Sequence, residues 1–214
     1  QAAAPALQPG TLWLQLSTVG VDAIAPLAQF ADRHGLVFYD CPVQGTRQPA
    51  EQGQLVILAA GPLAQRGQVQ PVFDAIGKRS LWIAQQAGAA SRLKLALNHW
   101  AFALTHGLAE SLALAKGLDI EPALVVEAVT GGPMDSGFFQ AKAAAMLSGR
   151  YDASFTVANA VKDAQLVADA AAGAGLLLDG AQAGLRRFER ALAAGHGDKD
   201  MAASHLASYP ASHA

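Results

Sequence analysis

The β signal in this chain vanishes after Gly88, and that change of texture limits the folds open to it. Upstream, short apolar runs of β character alternate with helix-length segments. Strands are expected at 11–16, 36–39, 55–59 and 81–84, and helices at 21–34 and 62–76, with Gly35 stopping the first helix. Strands separated in this way suggest βαβ-like units and a largely parallel sheet. Downstream, alanine-rich helical segments follow at about 89–116, 121–130, 137–148, 155–172, 179–194 and 199–207. Gly117, Gly131-Gly132, Gly149, Gly173 to Gly175 and Gly195 to Gly197 punctuate them. The expected architecture is an α/β domain over residues 1–87, a partial Rossmann-like layer, followed by an all-α domain over 88–214. No internal repeat is evident.

The joint between the halves is itself unusual. The segment from Gly88 to Asn98 opens a helix that stays apolar on nearly every side through Leu104 and Leu108. Such a helix should be buried or form a spine between layers. Lys94 and Asn98 break the pattern and, four residues apart, share one face. Burial of a lysine favours its neutral form, which suits acid/base work, and an amide one turn along is placed to hold a substrate oxygen. The plainer alternative is a snorkelling lysine beside a buried polar plug.

Composition narrows the function. Hydrophobic residues make up 52% of the 214 and charged ones 15%, so the chain has a real core and no disordered character. Net charge is -2 with no basic run, which argues against a nucleic-acid partner. No apolar run reaches the ~18 residues of a membrane helix. Cys41 is the only cysteine, so no disulfide forms within the chain, compatible with a cytoplasmic location. The histidines lack the neighbouring carboxylates or thiols of a zinc site, and no metal is expected. The chain opens on Gln1-Ala2-Ala3-Ala4-Pro5 with no charged leader, as if in the middle of something. No Gly-x-Gly-x-x-Gly turn occurs, although such a turn is what holds a dinucleotide's pyrophosphate.

Four spaced motifs give the sequence a family likeness. They are Leu16-Ser17-Thr18 at the end of the first strand; Asp40-Cys41-Pro42-Val43-Gln44-Gly45-Thr46, continuing through Gly53-Gln54-Leu55 to Gly61; Gly88 with Lys94 and Asn98; and Phe155 with Lys162-Asp163. A weaker fifth is the segment from Gly195 to Asp200. In order and spacing they resemble the β-hydroxyacid dehydrogenase family, which includes 3-hydroxyisobutyrate, tartronate semialdehyde and 6-phosphogluconate dehydrogenases. The resemblance runs from about Leu7 to Leu206 and implies a missing N-terminal part of the Rossmann domain. It implies NAD or NADP as cofactor, a small anionic substrate, and a homodimer formed through the helical domain. Lys94 is then the catalytic general acid/base. Gln44, Gly45, Thr46 and Asn98 bind substrate, and Ser17, Thr18 and Lys162 bind cofactor.

The sequence departs from the family pattern at several places. Gln44 stands for the usual serine, Thr46 for the second glycine of the loop, Pro49 for a further glycine and Ala90 for the second glycine of the helix-opening turn. The loop should be stiffer, with a different donor set. Two alternatives follow: an imine reductase-like enzyme, favoured by the altered loop and opposed by Lys94, and a non-catalytic dimerisation module. Without the resemblance, Ser17 or Thr18 would cap the next helix, Pro42, Gly45 and Pro49 would form a turn, and Lys162 would face solvent. Cys41 is expected to be structural. Trp13, Trp82 and Trp100 should fill core or interface space, and His106 and Phe139 are pocket-lining candidates.

Overall fold

A computed structural model describes residues 6–209; the first five residues of the expected α/β domain and the last five of the helical one lie outside the described residues. The chain divides into two compact units, Gln1–Leu97 and Asn98–Ala214.

The first unit is a five-stranded sheet with helices on both faces. In chain order it contains β1 (Leu12–Gln15), α1 (Val21–Arg33), β2 (Val37–Asp40), β3 (Val43–Gln44), α2 (Arg47–Glu51), β4 (Leu55–Ala60), α3 (Arg66–Ile76) and β5 (Gly77–Ala84). It ends with the first turns of α4 (Ala89–Gly117). β1 runs parallel to β2, and β5 parallel to β4. β2 instead meets β4 antiparallel at Asp40 and Ala60, and β3 continues antiparallel along β4. The sheet is therefore mixed: its two longest ladders are parallel, as expected, and its two short ones antiparallel. The cause lies in the connection: residues 45–54 carry only the five-residue α2, too little for the crossover of a dozen or more residues that a parallel return requires.

The strand period of two sorts the core into layers. Leu55, Ile57 and Ala59 pack with Tyr39, Val69 and Phe73 on the α3 side. Leu58 and Ala60 point the other way, against Ala90, Leu93 and Leu97 of α4. Along β2, Tyr39 faces the α3 cluster, whereas Phe38 joins Ile24 and Ala31 of α1. Because the opening turns of α4 belong to this packing, the boundary between the units falls inside the helix, after Leu97.

The second unit comprises the rest of α4, then α5 (Ala123–Val129), α6 (Gly137–Ser148), α7 (Val157–Gly173), α8 (Asp179–Ala193) and a 3-10 helix over Met201–Ser208. Alanine at the contacts lets these helices approach closely. Ala160 and Ala164 meet Phe102, Phe188 and Met201, while Ala109, Ala143 and Ala202 meet Leu112 and Met146. Ser136 caps α6 through the Phe139 N–H at 3.1 Å, and Thr156 caps α7 through the Asn159 N–H at 3.2 Å. Asp200 ties three segments together. Its carboxylate takes the Lys142 amine at 2.6 Å, the Ser154 hydroxyl at 2.7 Å and backbone N–H groups of Ser154 and Ala202 at 3.0 Å each.

Helix α4 is not buried on every side. Trp100, Leu104 and Leu114 form an exposed apolar stripe, joined by Leu118 just past the helix end. Among the described residues no helix is long and apolar enough to cross a membrane.

Candidate active site

The loop after β2 is held by its neighbours on both sides. The Cys41 N–H donates to the Gln15 carbonyl at 2.9 Å, and the Leu58 N–H to the Pro42 carbonyl at 2.9 Å. Gly45 has φ +131°, and a Cβ there would stand 2.7 Å from Leu55 Cδ2 and 3.2 Å from Pro49 Cβ, so only glycine fits. Thr46 then leads into α2 without its side chain capping it. Pro42, Gly45 and Pro49 do not make a simple turn between strands. They bracket the two-residue strand β3 and the start of a short helix.

Lys94 lies over this loop. It is only 8% exposed, and its Nζ donates to Gln44 Oε1 at 3.1 Å. The glutamine that departs from the family pattern is therefore the residue that meets the amine. Where the chain enters α4, Gly88 has φ +101°, and the buried carboxylate of Asp40 reaches the helix start. Asp40 Oδ2 accepts the N–H groups of Gly88 at 2.8 Å and Ser91 at 3.0 Å, and Oδ1 accepts the Ser91 hydroxyl at 2.6 Å. Sequence reasoning missed this cluster. Asp40 heads the loop motif and Ser91 sits in the helix's first turn, but nothing in the sequence pairs the two.

Ser17 and Thr18 follow β1 at its C-terminal end. The Gln15 side chain folds over that turn, with Nε2 donating to the Ser17 carbonyl at 2.8 Å and Oε1 accepting the Ser17 N–H at 3.2 Å. The N-cap of α1 is Gly20, two residues beyond Thr18. Cys41 is fully buried, and burial, with the Asp40 charge beside it, pushes its thiol up to about 12. It is an inert structural thiol.

In the second unit, Asn98 is buried and donates from Nδ2 to Asp163 Oδ2 at 2.9 Å. Lys162 Nζ lies 2.7 Å from Asp163 Oδ1, with Lys162 about half exposed and Asp163 buried. Asp163 thus links two of the expected site residues, a role the motif contained but the sequence did not assign. His106 lies buried against Phe188 and Gly184 in the helical core, and Phe139, partly buried, packs against the cluster of Leu108 and Leu112. Trp13 and Trp82 pack in the α/β core, while Trp100 is 63% exposed. Among the described residues no group of three or more histidine, cysteine or carboxylate side chains could hold a metal ion.

Comparison with known proteins places this architecture. A family model described as NAD-binding of NADP-dependent 3-hydroxyisobutyrate dehydrogenase matches residues 88–206. One described as the NAD binding domain of 6-phosphogluconate dehydrogenase matches residues 1–84. The chain belongs to the β-hydroxyacid dehydrogenase family of NAD(P)-dependent oxidoreductases. It is 29% identical over 194 residues to glyoxylate/succinic semialdehyde reductase 1 of Arabidopsis thaliana, covering 91% of this chain and 67% of that one. It is 30% identical over 201 residues to the cytokine-like nuclear factor N-PAC of Danio rerio, covering 94% and 44% respectively. The crystal structure of a 3-hydroxyisobutyrate dehydrogenase from Salmonella typhimurium superposes with a TM-score of 0.87 at 28% identity, covering 95% of this chain and 71% of that one. Solved imine reductases share the fold, with TM-scores of 0.51 and 0.53 at 17% and 18% identity; the family models and the reductase relative do not favour the alternatives to a dehydrogenase.

Proposed function

We propose that this chain carries the proton-exchanging and substrate-holding residues of an oxidoreductase acting on a small carboxylate-bearing carbonyl or hydroxyl compound. One observation carries this: a buried amine, Lys94 Nζ, held 3.1 Å from Gln44 Oε1 at the mouth of the Gln44–Gly45–Thr46 loop. The reductase and dehydrogenase relatives, named for glyoxylate, succinic semialdehyde and 3-hydroxyisobutyrate, support the substrate class.

The residues present suit the nicotinamide end of NAD or NADP. Leu16, exposed, is followed by the hydroxyls of Ser17 and Thr18 at the C-terminal end of a strand, where open α/β sheets bind ligands. When bound, the reduced cofactor supplies the hydride that reaches the carbonyl carbon. Lys94 as ammonium gives a proton to the carbonyl oxygen, which becomes the hydroxyl; in the oxidative direction the neutral amine takes that proton back. Gln44 accepts a hydrogen bond from the amine and holds it at the loop. We assign Gly45 and Thr46, with backbone N–H groups and the Thr46 hydroxyl, to the substrate carboxylate. From the second unit, Asn98 is assigned to the substrate and Lys162 to the cofactor, both anchored on Asp163. The apolar stripe of α4 is proposed to seat a second copy of the chain, giving a homodimer. A cytoplasmic location is proposed from the single, buried, unpaired cysteine.

The test is Lys94→Ala in the full-length protein, assayed with glyoxylate, succinic semialdehyde and 3-hydroxyisobutyrate. A fall in kcat of roughly 10²–10⁴-fold with unchanged cofactor affinity is expected. Lys94→Arg should fail as well, because a guanidinium does not release its proton near neutral pH. Wild-type turnover in Lys94→Ala would remove the mechanism.

A further inference from the structure

We propose that Asp40 is a positioning residue for the proton-exchanging amine: its buried carboxylate ties the first turn of α4 to the end of β2 and thereby sets Lys94 against the Gln44 loop. The inference rests on the assignment of Lys94 made above.

An ordinary helix cap comes from the residue just before the helix. Here it comes from another element, 48 residues upstream of Gly88. Asp40 is fully buried, and its two oxygens take three donors from the opening of a single helix: two N–H groups and the Ser91 hydroxyl. A carboxylate suits that place, because it meets the positive end of the helix dipole and makes charge-assisted hydrogen bonds. Four residues beyond Asp40 stands Gln44, and one helical turn beyond Ser91 stands Lys94. Two cross-ties therefore join the same pair of segments, Asp40 to Ser91 and Gln44 to Lys94. The first is buried and threefold; the second is a single bond to a side-chain amide. The rigid tie fixes the distance over which the softer one forms. Loss of the first lets the helix start shift against the loop, and a displacement of about 1 Å in a reacting group costs on the order of 10²-fold in rate. The sheet itself makes no use of the Asp40 side chain, since β2 pairs with β1 and β4 through its backbone.

The test is a double-mutant cycle in the full-length protein, with Asp40→Asn and Ser91→Ala each made alone and combined with Lys94→Ala. Asp40→Asn keeps the shape and loses the charge. Ser91→Ala removes one donor and leaves the carboxylate its two N–H partners, so it carries the test should the Asp40 variant fail to fold. The expected result is a fall in kcat of about 10- to 100-fold for Asp40→Asn and several-fold for Ser91→Ala. KM and cofactor affinity should stay within about twofold, and neither change should add to the loss in the Lys94→Ala background. Equal losses with and without Lys94, a rise in KM at constant kcat, or no loss at all would overturn the positioning role. Full turnover by Lys94→Ala alone is a different result, and it strikes the proton-transfer assignment instead of the tether.

Discussion

His106 is buried in the helical unit with neither ring nitrogen hydrogen-bonded, 4.4 Å from the Phe188 ring. Burial, helped by the Arg187 and Arg190 charges, drives its pKa down to about 3. In the unfolded chain it takes a proton near 6.5. The unfolded state therefore binds more protons between those values, and stability should fall as pH drops from about 6.5 toward 3. One such group gives a slope of about 1.4 kcal/mol per pH unit. Glu110 is paired with Arg187 at 2.9 Å, and His205, also lowered chiefly by burial, adds in the same direction. His106→Leu should flatten the urea-unfolding stability between pH 6.5 and 4; an unchanged slope would assign the pH dependence elsewhere. At this scale the polar break that Lys94 makes in an apolar helix was visible in the sequence, and Lys94 is buried in the structure. The sequence was unreadable where a polar group acts across the fold. Nothing local marks Asp40 as the cap of a helix that starts dozens of residues later, or His106 as a neutral core ring instead of a pocket wall.

Asp200 shows how much one side chain fixes at the level of elements. Burial raises its pKa, but the Lys142 charge and hydrogen bond, with donors from Ala202 and Ser154, outweigh that and hold the carboxyl below its ordinary range. Asp200→Ala would strand the Lys142 amine, itself 7% exposed, in the interior between α6 and the final 3-10 helix. A loss of about 3–5 kcal/mol in thermal or urea unfolding is expected. Replacing both partners, Asp200→Asn with Lys142→Met, should cost clearly less; equal losses would mean that the stranded charge is not the cause. The helices of this unit were legible because glycine stops separate long alanine-rich runs, and their expected ends lie close to those observed. The 3-10 winding of Met201–Ser208 was not, since eight residues of mixed small side chains fit either helix. Four of the five strands were legible as strands; β3 was not, and the direction of β4 depended on the short segment 45–54, where the five-residue α2 leaves no visible period.

For the whole molecule, packing of Ala90, Leu93 and Leu97 on β4 puts the opening turns of α4 in the first unit. The helix was expected to be buried or to form a spine between layers, and the stripe formed by Trp100, Leu104 and Leu114 excludes burial on every side. An apolar run continued onto the water-facing side of a helix argues for a partner. Trp100→Glu with Leu104→Glu should convert the proposed dimer to monomer in sedimentation velocity without unfolding the chain; a variant that sediments unchanged would place the interface elsewhere. The stripe also supplies its own optical label. Of the three indoles, only that of Trp100 stands mostly in water, so dilution through the association constant should shift its emission to longer wavelength while Trp13 and Trp82 contribute a constant background.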